Sequence, residues 1–124
     1  MSFKNNYLYT RDESHDEVGG GSKQAYLPNK NGRVLCACLN QRENPSAPFI
    51  ILAGKGPEIQ RSSIMLCDQK GSIPVFVKRN VNKWEYVGMH EIDRWTDKQT
   101  DIDDYNRTAR RTDITRIIFT KESV

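Results

Sequence analysis

Long hydrophobic runs, a disulfide framework and motif histidines are all missing from this sequence, and each absence removes a class of function. No apolar stretch approaches the roughly 18 residues that a membrane-crossing helix requires. Residues 1–20 are polar and acidic where a signal peptide would be apolar, so the chain reads as a cytoplasmic protein. Cys36, Cys38 and Cys67 are three, an odd number, and do not make the framework of a small secreted domain, in keeping with a reducing compartment. The two histidines, His15 and His90, lie in no helical metal motif and beside no obvious nucleophile. Charge of one sign is also scarce, with 19 Lys and Arg against 16 Asp and Glu. So small an excess permits contact with a polyanion only where cations gather on one face.

What the chain does contain is enough for a modest core. Its 124 residues are 36% hydrophobic and 28% charged, and the aliphatic runs Phe49-Ile50-Ile51-Leu52 and Ile117-Ile118-Phe119 argue for one folded domain, 1–124. Thr10 and Glu13 have capping-box spacing, which predicts a helix over 11–18 that Gly19-Gly20-Gly21 stops. Residues 1–30 then form a helical, glycine-rich head and 31–124 the core. Strands are expected over 33–39 and 48–53, and a helix over 57–69 opened by Pro57. A hairpin follows, with strands 73–78 and 84–92 around Val81-Asn82-Lys83. Thr100 is placed to cap a third helix with Asp101, Asp103 and Asp104 at its positive end and Arg107, Arg110 and Arg111 at its negative end. A strand over 114–120 closes the chain. These elements lack the regular alternation of a doubly wound sheet, so the fold class is α+β: a curved, mostly antiparallel sheet or small open barrel of about five strands with three short helices.

Most of the chemistry-bearing residues have an ordinary explanation. Cys36 and Cys38 share a strand face and could join Cys67 and His90 around zinc, but the paired spacing is too tight for a zinc knuckle and buried thiols are the better reading. Asp101, Asp103 and Asp104 are accounted for by a helix start without a divalent metal. Gly54-Lys55-Gly56-Pro57 joins a strand to a helix, where amides can hold a single phosphate. It lacks the length and the Lys-Ser/Thr ending of a nucleotide-binding loop, and a plain turn is favoured. No cofactor and no metal are expected. His15 and Asp16 could serve a small enzyme as acid or base, yet nothing in the sequence sets either against a substrate.

The most informative stretch runs from Ile73 to Gly88. Strand alternation places Trp84, Tyr86 and Gly88 on one face, and Lys78, Arg79 and Lys83 crowd the preceding turn. Rings for stacking beside cations for phosphates are what an unstacked base needs. Both rings enter cores equally well, so the two readings stand side by side. The excess positive charge lies in this part of the chain. The head and the segment from Asp93 are each balanced, which leaves eight cations against five acids between Asn31 and Ile92.

The strand ending in Lys78-Arg79, the turn, and Trp84-Glu85-Tyr86-Val87-Gly88 resemble the small PUA-like and SRA-like reader modules that accompany bacterial restriction endonucleases, often of the HNH type. Tyr9-Thr10-Arg11-Asp12-Glu13, the glycine triplet and Gln24-Ala25-Tyr26-Leu27-Pro28 look like part of the same module. The resemblance implies a non-catalytic DNA-binding module that reads modified or flipped bases in a concave pocket, in a restriction or defence setting. It implies Trp84, Tyr86 and Tyr26 as stacking rings, and Gln24 or Asn29 at a base edge. Lys78, Arg79, Lys83 and Lys55 would hold phosphates. No nuclease motif is present, so any cutting falls to a separate nuclease as partner. The alternative is a protein-interaction or inhibitor domain from a mobile element that uses the aromatic hairpin as its interface.

Overall fold

The computed structural model describes residues 3–19 and 26–123. In chain order the elements are β1 (Leu8–Tyr9), α1 (Arg11–Val18), β2 (Asn29–Lys30), β3 (Arg33–Val34), β4 (Ala37–Leu39), β5 (Ile50–Ala53), α2 (Pro57–Asp68), β6 (Ile73–Asn80), β7 (Lys83–Thr96), α3 (Gln99–Ala109) and β8 (Arg116–Glu122). Five of the strands form the sheet β4-β6-β7-β8-β5, and β1 adds to β7. Only β4–β6 is parallel among these pairings. The sheet curls into a half-barrel, so the α+β class and the curved, mostly antiparallel sheet with three helices hold. Among the described residues no helix is long and apolar enough to cross a membrane.

The curl has a local cause. Register shifts leave Arg79 unpaired in β6, and Val87 and Asp93 unpaired in β7. Each such bulge bends its strand and strengthens the twist. The bulge at Val87 also corrects the face expected for Gly88. Tyr86 pairs with Phe76, but Gly88 pairs with Val75, which packs in the other core layer, so Gly88 leaves the face of Trp84 and Tyr86.

Neighbouring residues of a strand point to opposite faces, and the core divides accordingly. Leu39, Ile51, Val75 and Ile118 pack with Leu66 of α2 on one face. On the other, Leu52 and Ile117 meet Ile102 of α3, while Cys36, Cys38, Phe76 and Tyr86 lie under Phe3 and Tyr9 of the head. The head is therefore a cover for one half of the sheet. Its register is fixed by Leu8 opposite Glu85 and Tyr9 opposite Trp84.

Local signals decided some boundaries and tertiary bonds decided others. The capping box closes as expected: Glu13 N donates to Thr10 Oγ1 at 3.1 Å and Thr10 N to Glu13 Oε1 at 2.8 Å. The strand expected over 33–39 is split, because Arg33–Val34 pairs with β2 whereas Ala37–Leu39 pairs with β6. Between them Leu35 N donates to Pro28 O at 2.8 Å. Thr100 is not the cap of α3. Lys98 holds that position, and Thr96 shapes the entry by donating to Asp101 Oδ2 at 2.9 Å and accepting from Lys98 N at 3.2 Å.

Candidate functional site

A groove of about 820 Å³ opens between the two edge strands of the curled sheet, taking Cys38 from β4 and Leu52 from β5 into its walls. Tyr26 and Asn29 come from the segment that runs along the outer edge of β4, where Cys38 N donates to Tyr26 O at 2.7 Å. Trp84 enters from the hairpin, opposite Lys78 on β6 and Tyr9 on β1. The first half of α2 supplies Glu58, Ile59, Arg61 and Ser62.

Arg111 holds the floor together. Its Nε and Nη2 donate to the two carboxylate oxygens of Asp113 at 2.8 and 2.9 Å, while Nη1 donates to Glu43 O at 2.9 Å and Leu52 O at 3.1 Å. One side chain thus ties the β4–β5 loop, β5 and the segment after α3. Gly54 permits the close approach: a Cβ there would lie 2.8 Å from Asp113 Oδ2 and 3.2 Å from Arg111 Nη2. Buried Asn44 completes the wall by accepting from Leu52 N at 2.8 Å through Oδ1.

The groove neutralises most of its own charge. Arg111 pairs with Asp113, whose carboxyl these hydrogen bonds hold below its ordinary range, and Arg61 pairs with Glu58. Burial pushes the Tyr26 phenol well above its ordinary range, so it stays neutral. Tyr26 Oη and Trp84 Nε1 are buried in these walls without a hydrogen-bond partner. Such an environment suits an uncharged, partly aromatic ligand portion better than a phosphate.

The residues expected to make a site are only partly brought together. Tyr26, Asn29 and Trp84 share the groove. Tyr86 does not. It is 7% exposed and packs between Phe76 and Phe3 at centroid distances of 5.5 and 5.4 Å, because the head covers the face that alternation gave it. Gln24 lies outside the described residues. Lys78 stands over Trp84, and Lys83 is exposed beside the turn. Arg79 is turned aside by its bulge: Nε donates to Glu85 Oε1 at 2.7 Å and Nη1 to Gln41 Oε1 at 3.0 Å, so it is no free phosphate contact. Lys55 sits apart from the hairpin cations, close enough to Asp113 to help hold its carboxylate charged.

The thiols behave as core residues. Cys36 and Cys38 Sγ lie 3.9 Å apart among aromatic rings, whereas Cys67 packs in the opposite core layer and His90 is buried against Thr120. The four do not meet at one point, and among the described residues no cluster of three metal-ligating side chains exists. Contact with Cys36 and burial push the Cys38 thiol well up.

Sequence reading missed Arg11, Arg111, Asp113 and Asn44. Arg111 had a sufficient local explanation at the end of a helix, and nothing in the sequence marked the carbonyls it would meet. Compared with protein-family models, characterised proteins and solved structures, the chain matches none.

Proposed function

We propose that the protein is a non-catalytic DNA-binding module that accepts an unstacked base in the groove, with modified or mispaired bases as its preferred targets and a separate nuclease as the natural partner of such a reader. One observation carries the reading. Trp84, Tyr26 and Asn29, distant in the chain, line a single groove whose charges are mostly paired internally, while Lys78 and Lys83 lie at its hairpin end. A neutral pocket beside exposed cations fits a base with its flanking backbone. The likeness of the hairpin to restriction-associated reader modules agrees with it and supplies the defence setting.

The test is fluorescence anisotropy with fluorescein-labelled duplexes that are fully paired, carry one central mismatch, or carry one modified cytosine, each at low and moderate salt. The mismatched or modified duplex should bind more tightly than the paired one, since unpairing is cheaper there, and Asn29→Ala should reduce that preference. Absence of binding to every duplex at low salt would sink the reading. A second reading, a protein-interaction domain, has its own support: Tyr7, just before the head strand, Leu8 in it and Val81 in the hairpin turn are exposed at 52%, 45% and 82%. Val81→Asp abolishing a partner complex while leaving duplex binding untouched would favour it.

A further inference from the structure

We infer that Cys36 and Cys38 form a two-sulfur site for a soft, monovalent metal ion of the copper(I) class, beside Trp84 in the groove wall. The site is independent of the nucleic-acid reading, since it uses neither the hairpin cations nor a base.

The two Sγ atoms lie 3.9 Å apart, and both side chains are buried. Both pack in the aromatic core layer, while Ala37 between them packs in the opposite one. The backbone is held on both sides. Ala37–Leu39 pairs with β6, and Cys38 N donates to Tyr26 O at 2.7 Å. The sulfurs are therefore placed before any ion arrives. Metal–thiolate bonds of about 2.3 Å put two sulfurs on one ion at most about 4.6 Å apart, so a separation of 3.9 Å suits a single bridging ion. A disulfide would need the sulfurs at about 2.05 Å, and the paired backbone resists that approach.

The surroundings select the ion. Structural zinc takes four ligands, and among the described residues no carboxylate, imidazole or third thiol joins this pair. Calcium and magnesium require shells of oxygen ligands, whereas Phe76, Tyr86, Phe3 and Met89 pack around the sulfurs. A filled-shell monovalent ion is satisfied by two sulfurs, and soft thiolates select copper(I). Cys38 also lines the groove, which gives the ion a way in. On binding, copper(I) bonds to each sulfur and each thiol gives up its proton to solvent, with no change of oxidation state. Affinity therefore rises with pH.

The test is anaerobic titration of the reduced full chain with copper(I) presented as its bicinchoninate complex, whose colour fades as the protein takes the ion. One equivalent should transfer per chain, and X-ray absorption at the copper edge should show sulfur neighbours without nitrogen. Cys36→Ser and Cys38→Ser should each weaken uptake by more than about 100-fold, beyond what loss of a residue supporting a ligand costs. Cys67→Ser, which alters the thiol of the opposite core layer, should leave uptake unchanged. Copper(I) should raise the melting temperature of the wild type and of Cys67→Ser, and zinc should raise neither. Failure to transfer copper(I), nitrogen at the metal, or uptake undiminished in Cys36→Ser and Cys38→Ser would overturn the site. So would zinc stabilising the chain as well as copper(I) does. Should a serine variant fail to fold by circular dichroism, Cys36→Ala and Cys38→Ala, which bring no hydroxyl into the apolar cluster, decide the matter together with the X-ray absorption of the wild type.

Discussion

At the hairpin end of β7, Trp84 carries Arg11 and Lys78 at 5.7 Å and faces a groove of about 820 Å³; at the far end, Trp95 carries Arg116 at 4.1 Å and borders a strand neighbour, Phe119, that carries Arg94 at 3.8 Å. The far end borders a cavity of about 170 Å³, between Arg116, Asp97 and residues of α2. The ingredients are the same at both ends, an indole with basic neighbours. What differs is the curvature. The edge strands β4 and β5 leave a seam that Trp84 reaches, whereas Trp95 pairs with Ile118 in the short run of the β7–β8 ladder beyond the Asp93 bulge. Among the described residues, the indole with basic neighbours that opens onto a groove is the one beside the parted edge strands, and that opening makes the hairpin end the candidate site.

The comparison can be broken most forcefully in the cores beneath the two ends. Phe76 is fully buried and its ring meets Phe3, Tyr9 and Tyr86, so Phe76→Ala should cost about 3–5 kcal/mol in denaturant unfolding. Tyr105, half-buried against Phe119, should lose less than half of that on change to alanine. Equal losses would mean that the hairpin end has no denser aromatic support than the far end. Next in size is Arg111→Ala, which removes four hydrogen bonds and leaves the Glu43 and Leu52 carbonyls without this donor. Roughly 2–3 kcal/mol is expected, together with loss of groove binding. A variant as stable as the wild type would show that the loops close without this clamp.

Trp95→Ala sharpens the contrast from the other side. It should cost about 1 kcal/mol or less, because the ring is 42% exposed, and should leave duplex affinity and salt slope unchanged. Altered binding would place a contact at the far end too. The smallest effect is on pH dependence. Thr120 donates to Pro48 O at 2.8 Å, which leaves its Oγ1 to accept from His90 Nδ1–H at 3.0 Å, and burial holds the imidazole below its ordinary pKa of 6.5. The unfolded chain then binds the proton more readily. Stability is complete above about pH 6.5 and declines as pH falls from there towards the lower folded-state value. His90→Leu should flatten that limb in thermal melts recorded between about pH 5 and about pH 7, while Trp95→Ala should leave it in place.

The elements were legible where their signals are local. The Thr10–Glu13 box, Pro57 at the start of α2 and the hairpin around Val81-Asn82-Lys83 each depend on atoms a few residues apart, and each forms, with Lys83 already in β7 and Val81 and Asn82 left in the turn. Of the residues expected at the site, Tyr26, Asn29 and Trp84 come together in the groove; the basic turn beside it marked Trp84, and the likeness to reader modules marked Tyr26 and Asn29. Tyr86 and Arg79 were misjudged for reasons the sequence does not carry. The head descends on the face of Tyr86, and a bulge turns Arg79 towards Glu85 and Gln41. Arg111 went unnoticed because its partners are backbone carbonyls at Glu43 and Leu52, far away in the chain.

By itself the sequence determined the three helices, the main strands, the α+β class and the location of its excess positive charge, since periodicity, capping and composition act over short distances. Tertiary structure alone decided which aromatic ring became core and which became wall, and which cations were spent on carboxylates. Those outcomes depend on sheet curvature and on contacts between segments such as Arg11 and the hairpin, or Arg111 and the β4–β5 loop, that are distant in the chain and adjacent only after folding.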